Sequence, residues 1–152
     1  PTLGTLLEKN LTVYPNIITC IGETDSLINP DDLMENLCVE TVKSLVLKQA
    51  VRVFQDHLEE KNSYPVSFAH PGSMKDWDIS ELGLLFKILD IDPETGIVRL
   101  SKGFVMIPLK TTAGIAFHAP RQFINCTACD RENCPERRAP YSGASADNGR
   151  QP

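Results

Sequence analysis

Residues 78–118, DISELGLLFKILDIDPETGIVRLSKGFVMIPLKTTAGIAFH, decide how this chain is read. The apolar pattern changes period halfway along. Up to Leu89, the residues Leu82, Leu85, Phe86 and Leu89 recur three and four apart, the spacing of one helix face. Asp78 stands just ahead of them with Glu81 three residues on, the pattern of a capping box. DPETG, 92–96, is a turn, because proline presets φ and glycine tolerates the reversal. Beyond Gly96 the residues turn β-branched and aromatic, which predicts strands over 97–100, 104–107 and 114–118.

Working outward, YPVSFAHPGSMKDW, 64–77, is extended and turn-rich: its two prolines bar regular helix and Gly72 permits a tight turn. Before it lies a long apolar-periodic stretch, a predicted helix over about residues 31–61. Pro30, Asp31 and Asp32 mark its first turn, where proline costs no hydrogen bond and acids meet the positive end of the dipole. Leu33, Leu37, Cys38, Val42, Leu45, Val46, Ala50, Val53, Phe54 and Leu58 make a wide stripe expected to face a core. Residues 16–21 read as one more buried strand. Strand, long helix, turn, helix and strands in that order predict an α+β domain with a twisted antiparallel or mixed sheet.

The chain has 152 residues, enough for one sizeable core, and 41% of them are hydrophobic. One domain is expected over 1–138, including a cysteine loop at 124–138. The Gly-, Pro- and Ser-rich 139–152 is expected to be a flexible tail. The net charge of -5 argues against nucleic acid, which needs clustered Lys and Arg. No apolar run approaches the roughly 18 residues of a membrane span, and the start carries no signal-peptide pattern. A cytoplasmic protein is expected. No P-loop, nucleophile elbow, dinucleotide fingerprint or zinc-protease helix occurs.

INCTACDRENCPERR, 124–138, carries three of the five cysteines. Cys126 and Cys129 can approach one ion from a single turn, and Cys134 can close from the far side of the loop. Three soft sulfurs suit an iron–sulfur cluster or zinc. His118, Cys20, Cys38 or an outside group would complete the set. Redox thiols, a Cys126–Cys129 disulfide, or no chemical role at all are the other readings of the same loop. Few apolar residues surround these thiols, so a metal would supply the order that burial cannot. Cys20 and Cys38 read as buried small hydrophobes, and Arg137 and Arg138 as solvated charges.

Taken together, FAHPGS at 68–73, ELGLLFKIL at 81–89, IVRLS at 97–101 and MIPLKTTAG at 106–114 resemble the activation domain of cobalamin-dependent methionine synthase. Small free-standing relatives of that domain end in a C-x-x-C-x4-C segment, which Cys126, Cys129 and Cys134 match. The resemblance spans about residues 66–138. It implies a C-shaped α+β domain around a twisted antiparallel sheet. It also implies an accessory protein rather than a stand-alone enzyme. Such a protein assists the reductive methylation of a cobalamin presented by a partner, a corrinoid protein or cobalamin-dependent methyltransferase, with an electron donor. The ligand groove would run along Phe68, His70, Pro71, Gly72, Ser73, Lys110, Thr111 and Thr112. The family holds S-adenosylmethionine with an Arg and a Tyr where this chain has Phe68 and Ser73. Phe cannot pair with a carboxylate, so weak or absent binding of that ligand is expected. A reading of another class is a zinc-stabilised interaction module with no redox role.

Overall fold

The computed structural model describes residues 12–22, 27–29, 31–73, 77–118, 123–127, 129, 131, 133–135 and 137–141. Its centre is a three-stranded sheet in the order β1-β5-β2, antiparallel throughout. The strands are β1 (Val13–Thr19), β2 (Val66–Ala69) and β5 (Thr111–His118). Val13 faces Phe117 and Thr19 faces Thr111, while Val66 faces His118 and Ala69 faces Ile115. Short β3 (Arg99–Leu100) and β4 (Met106–Ile107) form a separate two-stranded ladder. The predicted strands are therefore present, but two are shorter and β5 begins three residues earlier than the apolar run. Thr111 and Thr112 are β-branched and join the ladder although they are polar.

Side chains alternate across the sheet, so each face has its own cover. Ala69, Ala113, Ile115 and Phe117 pack with Trp77, Leu82 and Leu85 in the main buried cluster. Leu82 and Leu85 come from α2 (Leu82–Ile88), the helix read from the period of 78–89. Asp78 caps the one-turn 3-10 segment Ile79–Glu81 that leads into it, accepting from Ser80 N at 2.8 Å. Asp92 holds the following turn through Glu94 N and Thr95. On the opposite face Val66 and Ala116 pack with Leu58, Phe54, Phe68 and Tyr14. Leu58 and Phe54 belong to α1 (Leu33–Asn62). Asp32 caps α1 by accepting from Glu35 N, and Ser63 ends it in the left-handed conformation.

The expected buried stripe of α1 is overturned. Leu33, Leu37, Leu45 and Val53 are 84%, 60%, 59% and 57% exposed, and Met34, Val42 and Val46 are exposed with them. Cys38 is exposed too, and Cys20 is half-buried. Only Lys43 and Leu58 of α1 are buried. A different face is covered. Lys43 is buried, and Glu40, Ser44, Ala50, Val51, Phe54 and Gln55 are partly buried on the same side, leading down to Leu58. Lys110 reaches this side through Glu40. No described helix is long and apolar enough to cross a membrane.

Candidate functional site

The 68–73 segment begins on β2 and ends in a turn. Gly72 carries φ +75° and donates its N–H to Trp77 O at 2.7 Å, a backbone position that side chains rarely adopt. Ser73 Oγ folds back onto His70 O at 2.6 Å. His70 Nδ1 lies 3.0 Å from Ala113 O and 3.4 Å from Thr112 Oγ1. A carbonyl can only accept, so Nδ1 carries the proton of this bond and Nε2 carries the lone pair. Burial pulls the His70 ring below its ordinary pKa, the Ala113 bond opposes this, and the charge of Arg138 adds to the lowering. The ring is neutral near pH 7. Phe68 lies parallel to it, with centroids 6.3 Å apart.

The predicted groove is brought together only in part. Phe68, His70 and Thr112 share one face of the sheet, beside the Pro71–Gly72 turn. Thr111 points the other way and bonds Thr19 Oγ1 and Pro108 O. Strand alternation forbids adjacent threonines from lining one groove. Lys110 is drawn to α1, where its Nζ sits 3.2 Å from Glu40 Oε2. Trp77, an aromatic neighbour of the turn in sequence, is buried in the core. No spacing rule could have assigned Lys110 to Glu40, because the two meet only after α1 packs.

The cysteine loop starts at Phe123, whose N–H donates to the buried Ser67 Oγ at 2.8 Å. It then folds around an arginine. Arg137 Nη1 donates to Cys126 O at 3.0 Å and Ala139 O at 3.2 Å. Its Nη2 donates to Cys129 O at 3.0 Å and to Arg131 O. One planar guanidinium thus satisfies four backbone carbonyls, which its fork of fixed donors suits. The reading of Arg137 as a solvated charge is corrected, and so is the premise that only a metal can order this loop. The sequence does carry a signal for this: an arginine three residues beyond the last cysteine can reach back into a loop poor in apolar anchors.

Arg138 N–H donates to Cys126 Sγ at 3.4 Å. That bond is the first cause holding the Cys126 thiol below its ordinary pKa; burial opposes it, and the Arg138 guanidinium adds to the lowering. In donor chemistry the loop fits a thiophilic metal: an N–H bond to sulfur and a nearby cation both favour thiolate. In arrangement it is not gathered. Cys126, Cys129 and Cys134 are free thiols, and among the described residues no three Cys, His, Asp or Glu side chains converge as a metal site. His118 stands at the end of β5 between the rings of Tyr14 and Tyr64, centroids 6.0 and 5.9 Å away. Both its ring nitrogens are buried without a hydrogen-bond partner.

Loop and groove are contiguous. Phe68, Val66, Ser67 and Gln55 line a cavity of about 50 Å³ together with Phe123, Ile124 and Arg138 of the loop. A second, open depression of about 610 Å³ lies on α1, lined by Val46, Gln49, Ala50, Val53, Phe54 and His57. Comparison with family models, curated proteins and solved structures finds no match to this chain.

Proposed function

We propose that the chain is an accessory protein of corrinoid metabolism that assists the reductive activation of a cobalamin-dependent methyltransferase. The observation that supports this is the contiguity of groove and loop: Phe68 and Arg138 line one cavity, and Arg138 in turn bonds Cys126. A thiol centre beside a groove is the arrangement that electron delivery to a docked cofactor needs. Cys126, Cys129 and Cys134 are the proposed thiolate ligands, with His118 or an outside group as the fourth. An iron–sulfur cluster held there would supply one-electron reduction at low potential. The cobalamin comes with the partner. Gathering the three thiols requires the loop to shift around Arg137.

The test is protein purified without oxygen and analysed for iron, zinc and sulfide. Iron and sulfide stoichiometric with the chain, lost in Cys126→Ser, Cys129→Ser and Cys134→Ser, are expected. Three titratable thiols with neither metal present refute the metal centre. The exposed apolar length of α1 favours a second reading, a zinc-stabilised interaction module. Stoichiometric zinc without sulfide decides for it.

A further inference from the structure

We infer that the cavity between β2, α1 and the cysteine loop is a carboxylate-binding subsite, anchored by the Arg138 guanidinium and the Ser67 hydroxyl. Three observations lead there. Ser67 is only 2% exposed, and its Oγ accepts from Phe123 N at 2.8 Å. A hydroxyl that accepts one bond still owns a donor proton, and Ser67 lines this cavity. Arg138, exposed on the loop, lines it from the other side. Its backbone N–H is committed to Cys126 Sγ, which fixes where the side chain starts. Arginine has five N–H donors, so contact with the thiol leaves the fork able to take a planar carboxylate.

The remaining lining limits what fits. Gln55 gives Nε2 to Glu59 Oε1 and Val66 O, so its amide hydrogens are occupied. The surface that lines the cavity is mostly polar. A water needs roughly 10–15 Å³ of such space. About 50 Å³ therefore holds a group of a few heavy atoms, the size of a carboxylate. The ligand class is a small carboxylic acid. Arg138 also touches Cys126, so the site is read in the metal-free protein, where acetate binding does not require the cysteine chemistry.

Sodium acetate titrated into the ¹⁵N-labelled full chain, against sodium chloride at matched ionic strength, tests the assignment. Saturable shifts are expected at the amides of Ser67, Phe123 and Arg138 and at the Arg138 side-chain N–H, with chloride giving none. Arg138→Gln changes an exposed residue, keeps the fold, and should weaken acetate at least tenfold. Ser67→Ala should weaken it several-fold. Shifts that do not saturate, or an acetate affinity unchanged in Arg138→Gln, overturn the subsite. Inorganic phosphate binding as tightly as acetate overturns the carboxylate assignment. If Ser67→Ala does not fold, Arg138→Gln alone decides.

Discussion

One methyl group added at position 114 should separate β5 from β2. A Cβ built on Gly114 would lie 2.7 Å from His70 Nδ1 and closer still to Ala69 O. Ordinary carbon–oxygen contacts are about 3.3 Å or longer, so the strands must part by roughly 1 Å. Ala69 O is backbone and cannot rotate away. The four pairs from Val66–His118 to Ala69–Ile115 then lengthen together. The His70–Ala113 bond, 3.0 Å in the native protein, is lost with them. Overpacking alone costs about 1–3 kcal/mol, and one buried backbone group left unpaired adds about 1–3 kcal/mol. Gly114→Ala should therefore destabilise by about 2–6 kcal/mol. Gly83→Ala is the internal control: it lies within α2 with nothing inside 4 Å of the new Cβ. There alanine should gain about 0.5–1 kcal/mol over glycine. Urea unfolding followed by circular dichroism and by Trp77 fluorescence reads both. With a slope of about 1–3 kcal/mol per molar, the Gly114→Ala midpoint should fall by about 1 M or more while Gly83→Ala rises. A Gly114→Ala midpoint equal to wild type would refute the close approach of β5 to the His70 turn.

Because Leu45 is exposed, Leu45→Ala should change stability by under about 0.5 kcal/mol, and Leu45→Asp should fold. Phe86→Ala, in the buried α2 face, should cost about 3–5 kcal/mol in the same urea assay. Arg137→Gln should release the carbonyls of Cys126, Cys129, Arg131 and Ala139. Amide exchange should then quicken over 123–139 and stay unchanged in β1, β2 and β5. Glu59 is held below the ordinary carboxylate pKa, first by the Val66 N–H and then by Gln55, with burial opposing. A carboxylate with a lowered folded pKa contributes stability above its unfolded value and loses it as pH falls through the folded one. The stability gap between wild type and Glu59→Gln should thus be full at pH 7 and shrink below about pH 4.5; a gap that widens in acid contradicts it.

The sequence by itself determined the parts that local rules govern. The period of Leu82, Leu85 and Phe86 named α2 and its buried face, and DPETG named the turn after it; Asp78, read as the cap of that helix, caps the 3-10 turn ahead of it. Periodicity also found α1, and β-branched content found β5. Which face of α1 is covered was not legible. The stripe through Leu37, Leu45 and Val53 is real, but periodicity records an apolar face and not what meets it. Only the tertiary packing decided that the covered face runs through Lys43, Phe54 and Leu58 instead. The site divides in the same way. The thiols, the His70–Gly72 turn and the threonines are visible as residue types at a spacing. Their company is not: Arg138 beside Phe68 and Lys110 on Glu40 are contacts between residues far apart in the chain, and Arg137 folds back into its own loop. A side chain's chemistry depends on the donors and charges within a few ångströms of it. For these residues that neighbourhood exists only once β2, α1 and the loop have packed.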